Sequence, residues 1–256
     1  MKKLLALIVL IGAVTAVFAE SASDIMKKVA DGSKSNSSAM ELTMQIVSSS
    51  GAVSERKIQT LSMKSGGKTS TITLFLAPAS VKNTRFLSID NPVGADDQWI
   101  FLPALNKVKR IAAGEKDSSF MGSDFSYSDM SSMSMADSDG SHTLLREEMY
   151  GGTACYVIES RPTGGATSYG KTISWIAKDK YVAMKVEFYH KDASTLVKTL
   201  TTGNVSLVSG RWLARTMTMQ SVSGSKTVVT ISQVKFDISV DPGYFTQYYL
   251  KTGRPQ

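Results

Sequence analysis

The amino-acid sequence predicts a mainly β protein, a meandering antiparallel sheet or barrel. First, apolar residues alternate with polar ones: Met40, Leu42, Met44 and Ile46 share one face of an extended run. Second, such runs recur along the chain between short polar turns, which predicts about eleven strands. Third, strands do not alternate with long helices, and this argues against a parallel α/β sheet.

The ends of the chain predict an exported, single-domain protein. Residues 1–19 combine Lys2 and Lys3, an apolar stretch and a small-residue cleavage site, as in a secretory signal peptide. An uncleaved anchor is the alternative, although the apolar stretch is short for a membrane span. Residues 20–256 show no shift in composition, so we expect one soluble domain in the periplasm.

The charge distribution and the single cysteine restrict the classes of function and the kind of core that the chain can have. Loss of Lys2 and Lys3 lowers the formal net charge from +7 to +5. The remaining basic residues are scattered, which argues against nucleic-acid binding but permits weak attraction to anionic membrane surfaces. The sole cysteine, Cys155, lies in an apolar run and is expected to be buried without an internal disulfide.

Two short helices interrupt the strand pattern. The first is predicted from Ser23 to Ala30, with Ser23 as its N-cap and Gly32 at its end.

The second helix lies in the central stretch FMGSDFSYSDM, residues 120–130. Ser126 and Asp129 have the spacing of a capping box, and Phe125 and Met130 that of a hydrophobic staple. We therefore expect a short helix from Tyr127 to about Met133 that lies over the sheet.

The same central stretch also resembles the loop of a hydrolase. Ser123 could act as a nucleophile with Asp124 or Asp129 nearby and with His142 or His190 as the base. However, the G-x-S-x-G elbow is missing. Two distant histidines and one cysteine also make no cluster of zinc spacing. The sequence therefore predicts a protein that is not an enzyme and has no metal or other cofactor.

Methionine is unusually frequent, with thirteen residues in the chain. Several alternate along strands, such as Met217 and Met219. Because methionine is flexible and polarizable, these side chains could line a cavity for an apolar ligand. They could equally fill gaps in a solid β core, which is the commoner use of buried methionine.

The segments DDQWIFLPALNKVKRI and KDSSFMGSDFSYSDM resemble the LolA-like family of outer-membrane lipoprotein-sorting proteins, in particular a subgroup with the signature WxYLP…RRI…FxGSDFSYxD. Phe101 stands where the signature has tyrosine. The later segments YVIESRP, ISWIAKDKY and VEFYHKDASTLVKTL are also similar to the family. The residues that match are Trp99, Phe101, Leu102, Pro103, Arg110, Phe120, Gly122, Ser123, Asp124, Phe125, Tyr127 and Asp129.

The resemblance implies a strongly curved, incomplete antiparallel β-barrel with a few short helices over its mouth. Its apolar cavity would shelter lipid or lipoprotein acyl chains in the periplasm for transfer toward the outer membrane. The implied partners are an inner-membrane transporter and an outer-membrane acceptor. A non-catalytic envelope interaction module, or an accessory subunit of a lipid-exporting transporter, is the alternative.

The resemblance also suggests site residues. The family has a basic residue before a proline near the third strand, whereas this chain has Ala77 before Pro78, and Arg85 could substitute for it. The expected lid or rim residues are Arg85, Arg110, Phe125 and Tyr127. The expected cavity-lining residues are Met44, Leu74, Leu76, Trp99, Phe101 and Met184.

Overall fold

A computed structural model describes residues 20–91, 96–131, 140–162 and 169–256. The predicted signal peptide lies outside the described residues. The α-helices are α1 (Ala22–Ser33), α2 (Tyr127–Ser131) and α3 (Gln247–Thr252), and short 3-10 helices span Pro103–Leu105, Ala113–Glu115 and Pro242–Phe245. The strands are β1 (Ser37–Val47), β2 (Val53–Ser65), β3 (Lys68–Ala77), β4 (Arg85–Ile89), β5 (Asp97–Leu102), β6 (Lys107–Arg110), β7 (Ser141–Tyr150), β8 (Thr153–Arg161), β9 (Lys171–Ala177), β10 (Ala183–Tyr189), β11 (Leu196–Val208), β12 (Arg211–Ser221) and β13 (Lys226–Phe236).

All of these strands form one antiparallel sheet in the order β6-β5-β4-β3-β2-β1-β13-β12-β11-β10-β9-β8-β7. The mainly β class and the meandering order are confirmed. The described part of the chain has thirteen strands rather than about eleven. Even its short strands, such as Arg85–Ile89 and Lys107–Arg110, pair along the sheet as the longer ones do. Strands β6 and β7 are the two ends, so the sheet is not closed.

Helix α1 shows how strongly the sheet curls. It contacts both β7 and β12, which are five strand intervals apart in the sheet order. In a flat sheet that separation would be about 24 Å, whereas a helix is only about 10 Å wide. The sheet must therefore bend around the helix, as expected for an incomplete barrel.

The ends of α1 differ slightly from the prediction. Its N-cap is Ser21, not Ser23, because the Ser21 hydroxyl accepts a hydrogen bond from the Asp24 amide at 3.1 Å. The helix buries Ala22, Ile25 and Met26 in the largest apolar cluster.

The two faces of the sheet carry different apolar clusters. Neighbouring residues on a strand point to opposite faces; Phe86 belongs to the largest cluster, whereas Leu87 belongs to a second one. We call the face with the largest cluster the inner face, because strands from both halves of the sheet contribute to it. The opposite face is the outer face, and its second cluster lies beneath α3.

Cys155 lies in a third, smaller cluster with Val157 and Trp175. Its side chain is buried and free, as predicted. Burial raises the pKa of its thiol. No helix in the described ranges is both long and apolar enough to cross a membrane.

Candidate functional site

The central stretch of the sequence lies across the inner face as a separate segment, residues 118–130, which we call the cover segment. On one side Gln98 of β5 donates a hydrogen bond to the Tyr127 carbonyl at 2.7 Å. On the other side Thr227 of β13 accepts one from the Asp124 amide at 2.9 Å. The cover segment therefore bridges the two halves of the curled sheet.

A tight turn begins the cover segment. The Ser123 hydroxyl donates to the Phe120 carbonyl at 2.7 Å, and the Phe120 amide donates to the Phe125 carbonyl at 2.7 Å. Glycine at position 122 suits the turn because its φ is +78°. Arg56 of β2 donates to the Met121 carbonyl at 3.0 Å, and burial lowers the pKa of its guanidinium.

These contacts leave no catalytic arrangement around Ser123. Its hydroxyl is donated to a main-chain carbonyl rather than to an imidazole. His142 Nδ1 lies 2.8 Å from the Ser160 hydroxyl, and His190 is exposed next to Asp192. Among the described residues, no group of three or more His, Cys, Asp or Glu side chains could hold a metal ion.

Helix α2 follows the turn with the predicted capping box. The Asp129 amide donates to the Ser126 hydroxyl at 3.1 Å, and the Ser126 amide donates to the Asp129 carboxylate at 2.6 Å. Phe125 and Met130 both join the largest apolar cluster, as the staple predicted. The described helix ends at Ser131, so its predicted extension to Met133 lies outside the described residues.

The cover segment inserts its aromatic rings into the inner face. Phe120 is completely buried, and its ring centroid lies 5.1 Å from Phe86, 5.5 Å from Tyr127 and 5.9 Å from Phe75. Tyr127 also contacts Phe86 at 5.7 Å, and burial raises the pKa of its phenol. Such tilted and edge-to-face pairs stabilise packing beyond the area that they bury.

The far end of the cover segment carries a buried ion pair. Asp129 accepts a hydrogen bond from Lys198 of β11 and another from the Tyr169 hydroxyl at 3.0 Å. Lys198 also donates to the Asp124 carbonyl at 3.2 Å. Burial, and then the charge of Asp129, raise the pKa of Tyr169.

A second carboxylate of the cover segment is tied to β13. Asp124 accepts hydrogen bonds from the hydroxyl of Thr227 at 2.7 Å and from that of Ser225. Thr227 is completely buried. The cover segment is thus held by polar contacts at its edges and by apolar packing at its centre.

A cavity of about 20 Å³ remains between the cover segment and the sheet, enough for about one water molecule. An acyl chain does not fit in this cavity. The residues that line this cavity are Leu42, Met44, Ile58, Thr60, Thr73, Phe125, Met130 and Val229.

Of the six residues expected to line a cavity, Met44 lines this one and the other five do not. Trp99 and Phe101 lie in the second cluster, on the outer face beneath α3. Leu74 lies two positions after Ile72 of that cluster on β3. Because residues two apart on a strand share a face, Leu74 also faces outward.

The last two expected cavity residues also lie elsewhere. Leu76 is exposed, with 37% of its surface accessible. Met184 packs against the third cluster, because a bulge between Ala183 and Lys185 changes the alternation of β10. Period-two alternation identifies residues on the same face, but it does not tell which face is concave.

The expected lid and rim residues are divided between the cover segment and the sheet. Phe125 and Tyr127 belong to the cover segment, whereas Arg85 donates to the Leu250 carbonyl at 2.7 Å and stacks over Phe101. Arg85 thus holds the C-terminal helix on the outer face.

Arg110 is an exposed residue of β6. Its guanidinium pairs with the Asp97 carboxylate at 2.5 Å. The structure therefore places neither predicted arginine against the cover segment.

Sequence reasoning missed the residues that receive the cover segment, chiefly Lys198, Tyr169 and Thr227. One signal was available. Lys198 lies two positions before Leu200 on β11, so the two residues share a face, and a lysine therefore occupies an inward position beside a core leucine. Helix α3 was also missed, although Thr246 caps it by accepting from the Tyr249 amide at 3.1 Å.

Comparisons with known proteins place this geometry in a family. A family model described as that of an uncharacterized protein matches residues 67–252. No curated protein matches the chain. A solved domain from Vibrio parahaemolyticus, assigned as an outer-membrane lipoprotein-sorting protein, is 31% identical. The match covers 90% of this chain and 98% of that one, with a TM-score of 0.83.

Two further solved structures have the same fold. A DUF1329 family protein from Desulfovibrio piger is 28% identical over 90% of this chain and 97% of its own, with a TM-score of 0.85. A LolA superfamily protein from Nitrosomonas europaea, 22% identical, covers 90% of this chain and 100% of its own with a TM-score of 0.72, and shows the fold alone. The chain belongs to the LolA-like family of outer-membrane lipoprotein-sorting proteins.

Proposed function

We propose that the chain is a periplasmic carrier that shelters the acyl chains of a lipid or lipidated protein against its inner face. The observation that carries the proposal is the cover segment. Its apolar side chains, led by Phe120 and Phe125, fill the concave face from a segment that is not part of the sheet. The same apolar surface would suit an acyl chain once that segment is displaced.

The energetics require such a shelter. Each buried CH₂ group contributes about 0.8 kcal/mol, so a long acyl chain leaves a membrane only for another apolar environment. The small cavity cannot provide it. The cover segment and the acyl chain must therefore compete for the inner face, and loading requires the cover segment to move out.

Family membership supports the direction of transport in this proposal. Residues 1–19 would direct export of the chain and would then be cleaved off. The mature protein would act as a single domain, residues 20–256. It would receive cargo from an inner-membrane transporter and pass it to an acceptor at the outer membrane. N-terminal sequencing of protein recovered from the periplasm tests the cleavage site.

A lockable cover segment tests the carrier function. The Thr227 hydroxyl donates to the Asp124 carboxylate at 2.7 Å, so the two side chains meet and cysteines at these positions can be tested for disulfide formation. We expect the reduced Asp124→Cys/Thr227→Cys protein to take up a fluorescent fatty acid and the oxidised protein to exclude it. Equal uptake in both states would rule out displacement of the cover segment.

The wild-type protein provides the basic control. Solvent extraction and mass spectrometry of the purified mature chain should release a co-purifying lipid. If no lipid is released and no fluorescent fatty acid is taken up by the wild type, the carrier proposal fails.

The proposed carrier is non-catalytic. Ser123→Ala removes the hydroxyl of the turn, and we expect no change in any ester hydrolysis by the purified protein. A loss of hydrolysis in this variant would restore Ser123 as a nucleophile.

The small volume of the cavity beneath the cover segment favours a second candidate, an envelope interaction module or accessory subunit of a lipid-exporting transporter. Such a module would keep its core closed and bind a membrane partner through its surface. Co-purification of a stable complex without lipid, from cells that express the tagged protein, would favour this candidate over the carrier.

A further inference from the structure

Lys198 is a buried cation on the inner face. Only 8% of its surface is exposed, and it shares its face of β11 with Leu200. Its ammonium group lies 5.3 Å from the ring centre of Tyr169 and 5.6 Å from that of Phe188. Aromatic rings at this distance attract a cation but do not neutralise its charge.

Among the described residues, both oxygen partners of Lys198 belong to the cover segment. They are the carboxylate of Asp129 and the carbonyl of Asp124. The two aromatic rings lie outside the cover segment. When the cover segment moves out, the sheet keeps the cation while its counter-charge leaves. An ammonium group that an acyl chain then buries again without a counter-charge is strongly unfavourable.

The cover segment therefore resembles an anionic amphiphile in the chemistry that it presents to the inner face. Phe125 and Met130 provide the apolar part, and Asp129 provides the negative charge at its edge. The hydroxyl of Thr227, which donates to Asp124, is a second polar group beside the same apolar surface.

We infer that Lys198 binds the anionic head group, a carboxylate or phosphate, of an amphiphile whose acyl chain takes the place of the cover segment. The inference rests on the proposed carrier function and deepens it, because it specifies the class of cargo. A neutral lipid would fill the apolar surface but would leave Lys198 without a counter-charge. An anionic amphiphile replaces both parts of the cover segment at once.

Two fluorescent probes with the same tail test this inference: dansyl-undecanoic acid and its methyl ester, titrated at neutral pH. We expect the wild type to bind the acid about tenfold more tightly than the ester, a difference of about 1.4 kcal/mol. Lys198→Met should abolish this preference while the affinity for the ester persists.

Three further variants make the result interpretable. Because Lys198→Met leaves Asp129 buried without its cation, the double variant Lys198→Met/Asp129→Asn provides a neutral pair whose folding is checked by denaturation. Asp129→Asn alone removes the competing carboxylate, so its affinity for the acid should rise. Lys185→Met is the matched control, because Lys185 pairs with Glu187 and stacks on Trp175 of the third cluster, away from the cover segment's ion pair.

Competition identifies the source of the negative charge. Dodecanoate and dodecyl phosphate should displace the acid probe, whereas acetate and inorganic phosphate at the same concentration should not, because they lack the apolar tail. Displacement by inorganic phosphate would indicate a site for a free anion and would overturn the inference.

The outcomes separate the inference from the proposed function. If the wild type binds neither probe, the carrier function fails and the inference with it. If the wild type binds both probes equally, or if the folded double variant keeps the preference for the acid, the carrier function stands and the role of Lys198 is refuted. Loss of the preference in Lys185→Met as well would also refute it.

Discussion

Replacement of Phe120 by alanine should weaken the fold and strengthen ligand binding at the same time. Phe120 is completely buried and contacts the rings of Phe75, Phe86 and Tyr127. Truncation of a buried phenylalanine costs about 3–5 kcal/mol of stability. This cost falls on the covered state alone, because a displaced cover segment leaves Phe120 outside the inner face.

The expected gain in affinity follows from the competition. When only a fraction of the protein has the cover segment displaced, the apparent Kd is the intrinsic Kd divided by that fraction. Each 1.4 kcal/mol lost by the covered state raises the displaced fraction about tenfold. Even part of the cost of Phe120→Ala should therefore tighten fatty-acid binding by at least about tenfold, until the displaced state predominates.

The assay combines urea denaturation with titration of a fluorescent fatty acid. Phe101→Ala is the matched control, because Phe101 is a similarly buried phenylalanine on the outer face. The control should lose stability without gaining affinity. The reasoning is refuted if Phe120→Ala lowers the urea midpoint while its affinity for the probe stays the same or falls.

The remaining predictions concern the stability of the fold. Arg85→Met removes the hydrogen bond to the Leu250 carbonyl. We expect the free energy of unfolding to fall by about 2 kcal/mol and hydrogen exchange in α3 to become faster, while fatty-acid binding stays unchanged. Unaltered exchange would refute the role of Arg85. Burial, and then the charge of Asp96, raise the pKa of Asp90 to about 6, so the folded state holds the proton more tightly than the unfolded chain does and stability falls as the pH rises through that value. Asp90→Asn should accordingly stabilise the protein by about 1 kcal/mol at alkaline pH, allowing for partial solvent screening, and the gain should vanish in acid; a gain that is independent of pH in urea denaturation would contradict this.

Local patterns predicted the elements of the fold well. The strand alternation of residues such as Met44 depends on near neighbours in the sequence, and so does the capping box of Ser126 and Asp129. Both are found in the structure. The resemblance to the family then supplied the curvature, which local patterns do not encode.

The contacts of the candidate site were harder to predict because they join distant parts of the chain. Asp129 meets Lys198, and Asp124 meets Thr227, across long sequence separations. The side-chain period identified Trp99 and Phe101 as one face of β5 but could not show that α3 covers that face. Strand β5 is apolar on both faces, so its sequence alone does not distinguish the inner face from the face that α3 covers.

The composition of the cover segment has a physical reason under the proposed function. A segment that only filled a core would carry apolar residues, whereas one that only connected strands in water would be polar. The cover segment must be stable in both environments, since it packs on the inner face and enters water when cargo replaces it. Phe120 and Phe125 serve the first state, and Asp124 and Asp129 serve both, because they accept hydrogen bonds at the sheet and are hydrated when released. The mixture of aromatic rings and carboxylates that resembles a catalytic loop is thus the composition expected of a displaceable cover.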